Sequence, residues 1–145
     1  MFKFDKLVFG DAGWGDEFLV ATFMTLLVSI MSMGLGLCLA IITVWAKLIK
    51  NRIASFIANF YTTVIRGVPE LLVIYLIFFG GNAVVMKVAK IFGYHGYIEL
   101  NALTIATIAI ATISATYSSE VLRAAYLSIS KGQLEAARAI GMNSF

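Results

Sequence analysis

Charged residues, cysteine and proline are all scarce in this 145-residue sequence, and each shortage excludes some classes of protein or structure. Charged residues make up 13% of the chain, against about 25% in a soluble domain, whereas hydrophobic residues make up 61%. A single cysteine, Cys38, excludes an internal disulfide. A single proline, Pro69, leaves long stretches without a helix breaker. We therefore expect an all-α integral membrane protein.

The sequence also lacks the residue groups that catalysis or metal binding requires. It has no nucleophile paired with a base and no GxxxxGK phosphate loop, so ATP hydrolysis would have to belong to a partner. The single histidine, His95, has no second ligand at metal-binding spacing. The net charge of +3 comes from basic residues scattered between hydrophobic segments, unlike a nucleic-acid surface. We expect no catalytic residue, metal, cofactor or nucleic-acid partner.

The first membrane span is predicted at residues 18–45, which carry no charged side chain and exceed the roughly 20 residues that cross a bilayer. Four acidic residues precede it, so it is not a cleavable signal peptide. Lys47, Lys50 and Arg52 follow it, and the positive-inside rule places them in the cytoplasm and residues 1–17 outside. Small residues at four-residue spacing predict a face for close helix packing: Ser32, Gly36 and Ala40.

A second crossing is predicted at residues 53–79, interrupted by the sequence RGVPE. Pro69 removes an amide donor and disfavours helix at Val68, so we expect a kink there. Arg66 and Glu70 stand four residues apart on either side of it. Two interpretations stay open: Arg66, Pro69 and Glu70 line a pathway, or the two charged residues are an interfacial pair that anchors the helix.

Residues 80–99 are predicted to form an outer loop, and the third span begins near residue 100 and stays uncharged to residue 119. Glu120 and Arg123, at its inner end, lie within reach of one another on a helix. They are either an interfacial salt bridge or part of a pathway or gate. A second set of small residues predicts tight helix contact: Thr107, Ala111, Ala115 and Ser119.

The last sixteen or so residues predict a short capped helix. Ser130 and Gln133 fit a capping box, so the helix should begin near Lys131, and Gly141 supplies a left-handed end. Three crossings from an outside amino terminus put this helix in the cytoplasm, where it is either a generic surface helix or a docking site for another protein.

Three segments of the sequence resemble one family. The residues Glu135, Ala136 and Ala137, with Gly141 after them, resemble the EAA loop of bacterial ABC importer permeases. RGVPELL (residues 66–72) and YSSEVLRAA (residues 117–125) resemble stretches of the permeases for polar amino acids, the histidine, glutamine, arginine and opine type. All three stand in the family's order.

The resemblance implies the type I ABC importer transmembrane fold in the bacterial inner membrane, with residues 1–17 in the periplasm. In that fold two permease subunits enclose a pathway, two ATPase subunits bind inside, and a periplasmic solute-binding protein delivers the solute. The EAA segment, residues 130–145, is then the coupling helix that contacts the ATPase. With Val68 and Glu70, the RGVPELL segment is more similar to that of one permease subunit in a heteromeric pair of the histidine or octopine type.

Residues 18–145 are then part of a permease domain, with three of five expected spans and a coupling helix. The family continues beyond the EAA segment, so we expect a chain truncated at its carboxyl end. Two other classes remain open: a secondary transporter or channel subunit, which also has kinked spans with buried charge, and a structural membrane subunit. The capped helix on the cytoplasmic side fits neither of them well.

Overall fold

The computed structural model describes residues 13–94, 96 and 101–142. These residues form five helices and no strand, as the composition predicts: α1 (Gly15–Leu48), α2 (Arg52–Gly67), α3 (Glu70–Ile91), α4 (Ala102–Ser128) and α5 (Lys131–Ala139). The predicted segments 1–17 and 130–145 are therefore described only in part. His95 lies outside the described residues.

Three of these helices, α1, α3 and α4, are long and apolar enough to cross a membrane, which matches the predicted number of spans. The second span differs from its predicted bounds of 53–79. α2 has 16 residues, and α3 continues through Gly80 and Gly81 to Ile91, where an outer loop was predicted. The prediction was wrong for residues 80–91, because a glycine inside a helix costs only about 1 kcal/mol and this long apolar helix continues to pack beyond the pair, where Gly81, Val84 and Val85 lie near Ile105.

The core of the fold is the contact between α1 and α4, which is made by small residues. Both predicted stripes of small residues are buried, those of α1 and those of α4. The Ser32 hydroxyl donates a hydrogen bond to the carbonyl oxygen of Thr107 at 3.3 Å. A Cβ atom on Gly36 would stand 3.2 Å from the Ala111 carbonyl oxygen. The two backbones therefore approach closely, and the predicted packing faces are confirmed.

The contacts also fix the direction of the helices. Along α1, residues 32, 36 and 47 meet residues 107, 111 and 120 of α4 in the same order, so the two helices run parallel. Arg66 and then Gly81 meet Tyr117 and then Ile105, so α2 and α3 together run antiparallel to α4. The carboxyl ends of α1 and α4 therefore lie on one side, as the predicted three-crossing topology requires.

Candidate functional site

The break between α2 and α3 forms where Pro69 predicts it. α2 ends at Gly67, and Val68 has the extended backbone angles φ −112° and ψ 144°. The Pro69 carbonyl oxygen accepts hydrogen bonds from Leu72 N at 2.9 Å and Val73 N at 3.3 Å, which starts α3. The expected kink is confirmed, and it places the end of α2 beside the carboxyl-terminal half of α4.

Polar side chains from four helices meet at this break, and we call them the polar cluster: Lys47, Thr62, Arg66, Glu70, Tyr117 and Glu120. An open cavity of about 300 Å³ lies against the cluster and is lined by Thr62, Thr63, Arg66, Gly67 and Glu120. Two of the residues predicted to line a pathway, Arg66 and Glu120, thus face the same cavity.

Lys47 is the buried centre of the polar cluster. Its ammonium donates to the Thr62 hydroxyl at 2.7 Å and forms a short ion pair with the Glu120 carboxylate. The Lys47 side chain is 0% exposed, whereas that of Glu120 is 30% exposed. A buried charge needs such partners, because leaving one unpaired in an apolar interior is costly. The pair joins the carboxyl-terminal end of α1 to α4.

The ion pair corrects two predictions. Glu120 pairs with Lys47 instead of Arg123, whose Nε atom is buried without a hydrogen-bond partner among the described residues. Lys47 belongs to the last turn of α1 and is buried, although its charge suggested a cytoplasmic loop. The burial of Lys47 could have been predicted from the sequence, because Lys47 continues the stripe of Ser32, Gly36, Ala40 and Thr43 at spacings of three and four.

Arg66 and Glu70 meet the same tyrosine instead of each other. The Arg66 guanidinium carbon lies 5.6 Å from the centroid of the Tyr117 ring, within cation–π range. The Glu70 carboxylate lies beside the Tyr117 hydroxyl. No ion pair joins Arg66 to Glu70 among the described residues. Both charged residues are exposed, so they do not form the ion pair that the anchoring interpretation assumed. A role in lining a pathway stays a prediction.

The terminal helix α5 has the predicted cap and end. Ser130 Oγ accepts from Gln133 N, and Gln133 Oε1 accepts from Ser130 N, both at 3.3 Å, which is the predicted capping box. Gly141 adopts φ +84°, the left-handed conformation that ends a helix. Glu135 and Ala136 are exposed, Ala137 is half-buried, and no residue of α5 is buried.

An apolar groove lies between the end of α4 and α5. It has a volume of about 250 Å³ and is lined by Tyr126, Leu127, Ile129 and Leu134. Leu134 belongs to α5, so the groove adjoins that helix. Within the described residues, no group of three or more histidine, cysteine or acidic side chains is close enough to hold a metal ion.

Comparison with known proteins connects this architecture to transport systems. No protein-family model matches the chain. The nopaline transport system permease protein of Agrobacterium fabrum is 43% identical over 137 residues, which cover 94% of this chain and 58% of the relative. The octopine transport system permease protein of Rhizobium radiobacter is 40% identical over 136 residues, covering 94% and 57%. The histidine/lysine/arginine/ornithine transport system permease protein of Escherichia coli is 33% identical over 129 residues, covering 89% and 56%.

A solved structure has the same fold. The crystal structure of an amino acid ABC transporter with histidines has a TM-score of 0.63 and 29% identity, over 83% of this chain and 51% of that chain. The chain thus spans somewhat more than half the length of the curated relatives it matches. With three membrane-length helices as well, it is a membrane-embedded protein. The permease proteins that it resembles are not themselves enzymes.

Proposed function

We propose that the chain is a permease of the amino acid and opine ABC transport family and acts as a transmembrane subunit of an ATP-driven importer, because it is 33–43% identical to such permeases over the stretch that aligns. The solutes are polar or basic amino acids or opines, and the membrane is the bacterial inner membrane. The observation that carries this proposal is 43% identity to a nopaline permease over 94% of the chain. Neither the fold nor these relatives favours a secondary transporter, channel or structural subunit.

The proposed partner at the inner surface is an ATPase, which binds α5 and supplies the hydrolysis that this chain has no phosphate loop to perform. Glu135, Ala136, Ala137 and Gly141 are the proposed coupling residues. The small alanines let a partner approach closely, and the capping box keeps α5 a rigid element that can transmit movement. Other partners are a second permease subunit, in a heteromeric pair, and a periplasmic solute-binding protein.

The proposed pathway follows the cavity beside the polar cluster. Arg66 and Glu120 face it, Pro69 and Glu70 lie at the adjoining break, and Arg123 is on the next turn of α4. An amino acid carries a carboxylate and an ammonium group, so a cavity with charges of both signs suits it. Lys47 neutralises Glu120 in part, which leaves Arg66 and Glu70 as the freer charges for contact with a solute.

A chimera tests the transport function. This chain replaces the aligned part of the Agrobacterium fabrum permease, expressed with the rest of that nopaline transport system, and uptake of labelled nopaline is measured in whole cells. We expect ATP-dependent uptake, and we expect its loss when Gly141→Pro is added, since proline cannot adopt φ +84°. A chimera that inserts in the membrane but takes up no nopaline would contradict the proposal.

Cysteine crosslinking tests the docking of α5. In a Cys38→Ser background, Ala137→Cys is paired with single cysteines placed across the candidate groove of the ATPase. Val84→Cys, near the other end of the chain's transmembrane part, is the matched control. We expect crosslinks from position 137 and none from position 84. A full set of ATPase positions without a crosslink to position 137 would argue against the coupling role.

A further inference from the structure

A second cavity lies at the junction of α1 and α2, on the same side of the protein as α5. It has a volume of about 370 Å³ and is lined by residues 49–52, Ser55, Phe56 and Asn59. It is separate from the polar cluster, since it shares no lining residue with the cavity there. The proposed transport function gives it no role.

Its charge is positive and is not balanced locally. Lys50 and Arg52 are exposed on its wall, and neither forms an ion pair among the described residues. The sequence holds no acidic residue between Glu17 and Glu70, so no neighbour along this stretch neutralises them. Two cations with no counter-charge at one cavity favour an anionic ligand.

The cavity also offers hydrogen-bonding groups close to the two cations. Ser55 accepts a hydrogen bond from Asn59 Nδ2 at 3.2 Å, and its own hydroxyl hydrogen has no acceptor within the described chain. The Asn51 Oδ1 atom caps α2 by accepting from Ile53 N at 2.9 Å, whereas its Nδ2 group donates to no acceptor within the described chain. The Asn51 amide, the Ser55 hydroxyl and the two cations are therefore donors that remain for phosphate oxygens.

An apolar surface runs directly out of the cavity. α2 leaves one face of large apolar side chains uncovered, and the Phe56 and Phe60 rings stack with centroids 6.3 Å apart. These side chains are 60–72% exposed: Ile53, Phe56, Ile57 and Phe60. Phe56 belongs to both the cavity wall and this face. A soluble anion would leave the face uncovered, whereas a lipid covers it with its acyl chains while its headgroup occupies the cavity.

We propose that the cavity between α1 and α2 binds the headgroup phosphate of an anionic phospholipid of the inner leaflet, with the acyl chains lying on the Phe56–Phe60 face of α2. Basic pockets beside membrane helices on the cytoplasmic side are suited to anionic headgroups. Trp45 is 67% exposed and lies one turn before the cavity, and tryptophan is a residue type that membrane interfaces favour. The inference rests on membrane embedding and goes beyond the transport function.

Fluorescence quenching in vesicles tests the site. The full chain with Trp14→Phe, which leaves Trp45 as the single tryptophan, is reconstituted in phosphatidylcholine with small fractions of brominated phosphatidylglycerol or brominated phosphatidylcholine. We expect phosphatidylglycerol to quench Trp45 at about 5- to 30-fold lower fractions, the preference that one or two cations give, and to saturate near one lipid per chain.

Two matched variants separate this site from general surface charge. Lys50→Gln with Arg52→Gln should abolish the preference, whereas Lys87→Gln with Lys90→Gln, on α3, removes the same charge and should leave it intact. Phe56→Ala should weaken phosphatidylglycerol binding while both cations remain. Equal loss of the preference in the two charge variants would overturn the proposal.

Two further outcomes would also overturn it. Excess inorganic phosphate that removes the preference would mean that the cavity binds a soluble anion. Trp45 quenched by neither brominated lipid would mean that protein, either a second copy of the chain or another subunit, covers this face in place of lipid.

Discussion

At the scale of single residues, the two members of the Lys47–Glu120 ion pair differ in how deeply they are buried. The lysine is fully buried, while the carboxylate keeps about a third of its side chain accessible at the cavity. The two partners therefore differ in what happens when the other is removed. Glu120 can turn towards the cavity, whereas the Lys47 ammonium has only the Thr62 hydroxyl left.

This asymmetry gives the first prediction. Glu120→Gln should lower the free energy of unfolding by about 3 kcal/mol, because it leaves a buried cation without a counter-charge. Lys47→Met should cost only about 1 kcal/mol, since an apolar chain of similar length fills the space. Unfolding by dodecyl sulfate titration in mixed micelles, followed by circular dichroism, measures both.

The double variant and a nearby lysine serve as controls. Lys47→Met combined with Glu120→Gln should be close to Lys47→Met alone, which would show that the large cost comes from the stranded ammonium. Lys50→Gln, three residues on and exposed, should change stability by less than about 0.5 kcal/mol. Equal losses for the two single variants at positions 47 and 120 would contradict the burial difference.

At the scale of helices, the α1–α4 contact depends on the absence of side chains. Gly36 is a point of close approach, because a Cβ atom there would lie 3.2 Å from both the Ala111 carbonyl oxygen and the Ser114 side chain. Gly34, two residues earlier on the same helix, has nothing within 4 Å of such an atom. One helix thus contains a glycine packed against α4, Gly36, and a glycine with open space around it, Gly34.

Gly36→Ala is therefore expected to destabilise the helix pair by about 1–2 kcal/mol, because the added methyl group forces the two backbones apart. Gly34→Ala should be neutral or stabilising by up to about 1 kcal/mol, as expected for alanine in place of glycine in an open helix position. The same dodecyl sulfate titration compares them. A loss as large at position 34 as at position 36 would mean that glycine acts through helix flexibility instead of packing.

Sequence patterns predicted those features of the helices that depend on neighbours within four residues. The capping box of Ser130 and Gln133, the break at Pro69 and both stripes of small residues follow from local spacing, and the structure confirms each of them. The partner of Glu120 could not be found this way, because Lys47 lies 73 positions away along the chain. The continuation of α3 past Gly80 was missed because a glycine pair suggests a turn without requiring one.

At the scale of the whole molecule, the parallel arrangement of α1 and α4 determines which ends share a side of the membrane. The α1–α2 turn, the polar cluster and α5 all lie towards the carboxyl ends of these two helices. The far end of α3, with Lys87 and Lys90, lies on the opposite side. The excess of basic residues around the α1–α2 turn predicts that the first of these sides is cytoplasmic.

Thiol labelling in intact cells checks this orientation. In a Cys38→Ser background, a membrane-impermeant maleimide should label Lys87→Cys from outside and should label Gln133→Cys only after the cells are opened. Both positions are exposed, so a difference in labelling reports the side of the membrane and not burial. Labelling of Gln133→Cys in intact cells would reverse the orientation and remove the basis for an ATPase at α5.

The parallel contact also has a consequence for how the protein is made. Lys47 leaves the ribosome 73 residues before Glu120, so at about 5–20 residues per second α1 exists for about 4–15 seconds before its partner residue has been synthesised. During that interval its stripe of small residues has no α4 to pack against, and Lys47 has no Glu120 to pair with. The ion pair is therefore a late contact, and it forms only once α1 has met α4 in the correct register.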